Sequence, residues 1–415
     1  MTSVQAERTV QPFPGVVPSG GAFPTWPHYD DEQVAAVERV LRSGRVNYWT
    51  GDEGRTFEAE YAAAVGTRYA VAVANGTVAL ELALHALEIP PGAEVIVPSR
   101  TFLATASAAV TRGCRPVFAD VDPVSGNLSA DTIAPLITPR TRAIICVHLA
   151  GWPCEMTAIN ELARRHHLKV IEDCAQSHGA EYRGRQVGRL SDAAAFSFCQ
   201  DKIITTGGEG GLLTTNDPDV WERAWSYKDH GKGWDTVFRK PHAGVFRWLH
   251  DSLGTNWRMT EMQCALGRIQ LQRLPAWLEV RRRNAAVLMG ELQGHPAVRL
   301  CTPPDHVRHS YYKCYAFVRR EYLTREWTRD RILQELQAEG IPCGCGSCAE
   351  IYLENGFRAR GLTPEQDRVV SRSLGETSLM FPVHPTLTED HMRAMGRATC
   401  RVLDRAVAAS RSRAA

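Results

Sequence analysis

Between about residue 68 and residue 217, short runs of β-branched and other apolar residues alternate with longer stretches of helical spacing. The runs are YAVAVA, EVIVPS, RPVFADV, AIICVHLA, LKVIED, AAFSFC and GGLLTTN. Several of them, AIICV and EVIVP among them, are apolar at successive positions instead of at every second one. That predicts strands of a parallel or mixed sheet with helices on both faces. In such sheets function gathers at the carboxyl ends of the strands. No fixed-period repeat is present, which argues against a solenoid or propeller.

From Thr260 the pattern changes to long helices. TEMQ offers Thr260 and Gln263 as a capping box for a helix through CALGRIQLQRL, and a further, Arg-rich helix is expected at PAWLEVRRRNAAVLMGEL. YYKCYAFVRR then reads as a strand, and TRDRILQELQAEG as a helix entered at Thr328 and stopped by Gly340. These elements predict a smaller α+β unit. Ahead of the α/β segment a helix is expected to begin near Asp30 and to end before SGRVNYWTG, and the Pro- and Gly-rich residues before it read as an arm. The expected division is an N-terminal arm and first helix over 1–50, a large α/β domain over 51–275 and a small C-terminal α+β domain over 276–415.

Composition narrows the class. A chain of 415 residues that is 44% hydrophobic can bury a substantial core. Its 48 basic and 46 acidic side chains nearly cancel and form no long block of one sign, so nucleic acid is not expected as a partner. The first residues lack the apolar core of a signal peptide, and no stretch approaches the roughly 20 apolar residues of a membrane helix. The expectation is a soluble, cytoplasmic protein. Of the twelve cysteines, Cys146, Cys174 and Cys264 sit in apolar or periodic segments and read as small core residues. CGCGSC, with Cys343, Cys345 and Cys348, offers three thiols but neither a fourth ligand nor a second CxxC, so no metal site is expected.

One stretch carries distinctive chemistry. In AFSFCQDKIITTGGEGG, Lys202 stands three residues beyond the apolar run and just before Gly207, Gly208, Gly210 and Gly211. An amine held there can condense with an aldehyde; it can equally be a solvated surface lysine. Pyridoxal phosphate demands a lysine, a carboxylate for its ring nitrogen, donors for its phosphate and a flat side chain against the ring. Asp173 ends the run LKVIED and suits the ring nitrogen, or else caps a helix. In VANGTVALELAL a strand passes through Asn75, Gly76 and Thr77 into a helix whose free amides suit a dianion, though an ordinary strand-to-helix turn reads the same way. Ser197 can add a hydroxyl. Phe102, just past EVIVPS, can stack on a ring or fill the core. What favours the cofactor reading is that all these elements occur in one order within one α/β segment.

Taken together the motifs resemble the DegT/StrS family of pyridoxal-phosphate sugar aminotransferases, which act on nucleotide-sugar or cyclitol ketones and share the aspartate aminotransferase fold, fold type I. The resemblance covers nearly the whole chain: VLRSGRVNYWTGDEGRTFEAEYAAAVGTRYAVAVANGTVALELALHAL, IVPSRTFLATASAAV, VHLAGWP, IEDCAQSHGA, FSFCQDKIITTGGEGG and GTNWRMTEMQCALGRIQL. It implies a large domain with a mostly parallel central sheet and a smaller α+β domain. It also implies that Lys202 holds the cofactor and moves the proton, Asp173 pairs with the pyridine nitrogen, Gln176 reaches the ring hydroxyl, Phe102 stacks, and Gly76, Thr77 and Ser197 receive the phosphate.

In this family an asparagine from the neighbouring subunit completes the phosphate site; Asn256 matches it, which implies a homodimer with shared sites. Arg258, Tyr48 and Trp49 are implied near the substrate. His178, His230 and Glu209 lie in matching motifs without an assigned chemistry. The sequence departs from the pattern in having two glycines, Gly207 and Gly208, before Glu209.

The implied reaction passes an amino group from glutamate or glutamine to a keto sugar, for polysaccharide or secondary-metabolite biosynthesis. A keto-cyclitol aminotransferase, a sugar dehydratase using the pyridoxamine form, and a cofactor-binding regulator without catalysis are the alternatives. Lys202 speaks against the dehydratases, which carry a histidine there.

Overall fold

A computed structural model describes residues 23–240 and 247–414. Most of the expected arm lies outside the described residues. Seven strands form the central sheet: β1 (Tyr69–Val73), β2 (Glu94–Pro98), β3 (Arg115–Ala119), β4 (Thr141–Val147), β5 (Lys169–Asp173), β6 (Ala193–Ser197) and β7 (Gly211–Thr215). Their order is β1-β7-β6-β5-β4-β2-β3. β7 runs antiparallel to both of its neighbours, and the other pairs are parallel. The carboxyl ends of β1 to β6 therefore share one edge. All seven runs identified in the sequence became strands of this sheet.

The continuous apolar character of the runs follows from burial on both faces. Ala70 and Ala72 of β1 pack into one hydrophobic cluster with Ile144, Cys146 and Phe196, while Val71 and Val73 pack into another with Ile145, Ala195 and Leu213. Successive side chains of a strand point to opposite faces, so a sheet covered twice leaves no polar alternation.

Helix α1 (Asp31–Ser43) is entered through an Asp30–Gln33 capping box and stopped by Gly44 in the left-handed region. Helix α2 (Glu53–Val65) and helix α3 (Gly76–Ala86) flank β1. The two helices expected after Thr260 are one: Glu261–Leu292 runs unbroken through Pro275, entered by the Thr260–Gln263 capping box. Loss of one amide donor at Pro275 is tolerated because the helix packs along its length, with Cys264, Leu274 and Leu278 in the core beneath the large sheet and Ala285, Leu288 and Leu292 in a further cluster. The boundary expected at residue 275 falls inside this rod.

That further cluster lies under a three-stranded sheet, Val298–Leu300, Cys314–Val318 and Ser378–Phe381, with the helices Arg329–Ala338 and Glu389–Ala414 against it. Thr328 caps the former, as expected. No helix among the described residues is long and apolar enough to cross a membrane.

Candidate active site

The shared strand edge collects Gly76, Thr77, Phe102, Asp173, Gln176, Ser197 and Lys202, each at or just after the end of a strand. β1 leads through Asn75 into α3, where the Asn75 side chain accepts from the Val78 amide at 3.0 Å. This cap leaves the Gly76 and Thr77 amides without an acceptor among the described residues, an anion-binding arrangement at a helix start. Ser197 ends β6 directly opposite. A Cβ on Gly76 would lie 2.6 Å from Ser197 Cβ and 3.0 Å from its Oγ, so glycine is what lets the two amides and the hydroxyl converge.

Lys202 follows on the loop from β6. The loop is closed at its base by the Phe198 amide on the Gly210 carbonyl, 2.8 Å, and is anchored by the fully buried Ile203 and Ile204 and by the Thr205 amide on Gln270 Oε1, 2.8 Å. Gly207 and Gly208 both take positive φ, +86° and +122°. The second glycine is thus used by the backbone, and Glu209 is left exposed, its carboxylate met among the described residues by a long contact from Cys199 Sγ at 3.9 Å. Lys202 Nζ lies 3.3 Å from the Tyr312 hydroxyl and 3.5 Å from Asp201 Oδ1. The Lys202 carbonyl accepts from the Trp26 indole at 2.8 Å.

Asp173 is the last residue of β5 and only 5% exposed. It caps no helix. Its Oδ2 accepts from the Thr105 hydroxyl at 2.8 Å and its Oδ1 from the Ala175 amide at 3.2 Å. Burial pushes this carboxyl above the ordinary range, against those two bonds and the charge of Lys202. A cationic N–H brought to it would relieve that cost. Phe102, on the loop after β2, is 69% exposed and so does not fill the core. Gln176 is buried, its Oε1 accepting from the Ala150 amide at 2.7 Å on the loop after β4.

The donor set fits pyridoxal phosphate: two free amides with the hydroxyls of Thr77 and Ser197 for a dianion, a buried carboxylate short of positive charge, an amine on a pinned loop, and an exposed aromatic ring on the loop after β2.

Other expectations are corrected or refined. Tyr48 does not face the opening. It is 3% exposed, its hydroxyl donates to Glu58 Oε2 at 3.1 Å and accepts from the Trp225 indole at 3.2 Å, and Lys228 Nζ lies 4.2 Å from its ring and 2.6 Å from Glu58 Oε1. A buried Lys–Glu pair needed a hydrogen-bonding lid, and Tyr48 supplies it. Trp49 and Arg258 are brought together by Asp229, which accepts from the Trp49 indole at 2.7 Å and also from Arg258 and Lys232. Asn256 is exposed, with no side-chain partner among the described residues.

His178 is structural. Its Nε2 donates to the Ser197 carbonyl at 2.9 Å, so Nδ1 must accept from the Tyr61 hydroxyl at 2.7 Å, and the ring is neutral. Burial holds it down to about 3. His230 is exposed at a positive φ of 62°.

Cys343 is buried while Cys345 and Cys348 face outward. The metal-like grouping found among the described residues is instead His148, Glu172 and Cys174. Its carboxylate is saturated: Glu172 accepts from His148 Nε2 at 3.0 Å, from the Gly188 and Leu190 amides at 2.9 and 2.8 Å, and from the Ser191 hydroxyl at 3.0 Å. Sequence reasoning missed Thr105, Asp201 and Tyr312. Thr105 lies within the quoted ATASAAV stretch, but nothing local links Tyr312 to a lysine 110 residues away.

Comparison with known proteins identifies the family of the chain. Residues 27–398 match the DegT/DnrJ/EryC1/StrS aminotransferase family. A dTDP-3-amino-3,4,6-trideoxy-alpha-D-glucose transaminase of Streptomyces venezuelae is 38% identical over 362 residues, 86% of this chain and 88% of its own. A GDP-perosamine synthase of Caulobacter vibrioides is 39% identical over 350 residues, 82% of this chain and 88% of its own. The crystal structure of an aminotransferase from Psychrobacter cryohalolentis superposes with a TM-score of 0.91 at 49% identity, over 92% of this chain and 99% of that one.

Proposed function

The chain belongs to the DegT/DnrJ/EryC1/StrS aminotransferase family, and from that premise we propose that it uses pyridoxal phosphate to move an amino group from glutamate or glutamine to a nucleotide-linked keto sugar. The observation that carries this reading is the convergence, on one strand edge, of the Lys202 amine, the buried Asp173 carboxylate and the free Gly76 and Thr77 amides facing Ser197. The relatives named for nucleotide-sugar products support the substrate class.

When bound, the cofactor supplies an electron sink for the carbon that loses its proton. The chain does the rest. Gly76 N, Thr77 N and the two hydroxyls hold the phosphate end. Asp173 would hold a positive charge at the ring nitrogen, and Gln176, whose Oε1 accepts from the Ala150 amide, would meet the ring hydroxyl. Phe102 covers one ring face. Lys202 Nζ would hold the cofactor by its aldehyde and, when free of it, would carry the proton as a general acid and base. The exposed Asn256 is offered to a second copy of the chain, which makes the working unit a dimer.

The test is to mix purified protein with glutamate or glutamine and a panel of nucleotide-linked keto sugars and keto cyclitols, following product mass. Exchange of a carbonyl oxygen for an amine in a nucleotide sugar supports the reading. Amination of cyclitols alone moves the substrate class, a deoxy product with released ammonia marks a dehydratase, and failure with every donor and acceptor overturns the reading.

A further inference from the structure

Asp201 and Lys202 are sequence neighbours, and neighbours in a strand point apart. Here they lie in a turn, with the Lys202 amide on the Cys199 carbonyl at 3.1 Å, and both side chains reach the same phenol. The Tyr312 hydroxyl donates to Asp201 Oδ2. Its lone pairs are then free to accept from Lys202 Nζ at 3.3 Å, while the same amine lies 3.5 Å from Asp201 Oδ1. Three groups therefore close one triangle around the reactive nitrogen.

Tyr312 is held rigidly for this purpose. Its amide donates to the Ala150 carbonyl at 2.9 Å, and its carbonyl accepts from the buried Arg281 at 3.3 Å. Ala150 in turn donates to Gln176, so the phenol is referenced to the same loop as the ring-hydroxyl candidate. Burial, with the Asp201 charge beside it, keeps the phenol well above its ordinary range and therefore protonated. Burial works to raise Asp201, but the charges of Lys202 and Lys313 and the Tyr312 bond outweigh it and hold the carboxyl low. Among the described residues, the other charged or titratable groups facing this triangle include Asp173 at the end of β5, Arg281 on the long helix, the neutral His178, Cys199, Tyr315 and Lys313 beside the Tyr312 ring.

We infer that Asp201 and Tyr312 are positioning residues that form a rest site for the Lys202 amine whenever it is not joined to the cofactor, holding it in place and aimed for its next proton transfer. This rests on the assignment of Lys202 as the cofactor lysine. During amino transfer that amine must be displaced and later return, and a long flexible side chain without a fixed partner would lose orientation each time.

The test uses full-length protein freed of cofactor, with an amine-acylating reagent and peptide mass spectrometry to read the labelling rate of Lys202 at pH 8. Asp201→Asn should raise that rate at least threefold, because the amine loses the carboxylate that holds it at 3.5 Å and is freer to reach the reagent. Tyr312→Phe in the reloaded enzyme should lower kcat at least tenfold while leaving KM for the donor within about twofold. Asp201→Glu should restore part of the wild-type labelling. Asp201 is half-exposed on a turn, so its variants are expected to fold. If Lys202 labels equally fast in wild type and Asp201→Asn, and Tyr312→Phe keeps wild-type kcat, the rest site is overturned. If instead the wild type never attaches the cofactor to Lys202, the functional reading itself falls.

Discussion

Glu172 Oε2 lies 3.0 Å from His148 Nε2, with both side chains fully buried, one residue away from the carboxylate placed at the active site. The two acids of the IED sequence point to opposite faces of β5. Glu172 staples the 188–191 loop to the strand, and Asp173 faces the edge where the Lys202 amine and the free Gly76 and Thr77 amides lie.

Glu172→Ala should therefore cost stability and not chemistry alone. It leaves three loop donors and His148 without their acceptor in a sealed environment, and a loss of about 3 to 5 kcal/mol is expected. Glu172→Gln keeps part of the acceptor set and should cost about 1 to 3 kcal/mol. Urea unfolding followed by circular dichroism measures both.

Lys202→Ala should abolish the cofactor's lysine-bound absorbance and lower turnover by roughly 100-fold to 10,000-fold, the range of a lost general acid and base. A variant that kept full turnover and wild-type colour would remove Lys202 from the mechanism.

Gly76→Ala places a methyl group 2.6 Å from Ser197 Cβ. Overpacking of this kind costs about 1 to 3 kcal/mol, and here it pushes apart the groups assigned to the phosphate. Affinity for pyridoxal phosphate should fall at least tenfold. Titration of the cofactor-free protein, followed by absorbance, reads the change.

His178 is neutral in the fold, its value pressed from 6.5 to about 3, chiefly by burial. A depressed folded-state value means that the unfolded chain takes up a proton first as pH falls. The associated stability is complete above about pH 6.5 and is lost progressively down toward pH 3, at about 1.4 kcal/mol per pH unit. His178→Asn should be less stable at pH 7, through loss of the Tyr61 and Ser197 bonds, yet show a shallower fall in urea midpoint between pH 6 and pH 5 than the wild type.

The shared-site proposal makes a separate quantitative claim. Lys202→Ala and Asn256→Ala protomers should each form weak or inactive dimers, while an equal mixture allowed to exchange should recover about a quarter of wild-type activity. Half of the dimers are then mixed, and one of the two sites in each carries neither lesion. Absence of any recovery after proven exchange would place Asn256 outside the partner's site.

The strands of the large sheet and the helix caps at Asp30, Thr260 and Thr328 were legible in the sequence, because the backbone signals of an apolar run, a cap or a glycine stop are local. For the same reason the places where chemistry could gather were legible: Asp173, Ser197 and the Asn75–Gly76–Thr77 turn stand where apolar runs end, and the end of a run is where a parallel strand leaves the sheet. The continuity of the helix through Pro275 was not, since packing along the rod offsets a local break.

Only the tertiary structure decided how the side chains at those places are partnered. Tyr48 looks like any aromatic in a loop until Glu58 and Lys228 close on it. The partnership of Lys202 with Tyr312 joins positions 110 apart in the chain, set by how the loop after β4 and the edge of the small sheet meet. Local pattern specifies where the backbone goes; the contacts that orient a reactive group are long-range, and no spacing in the chain records them.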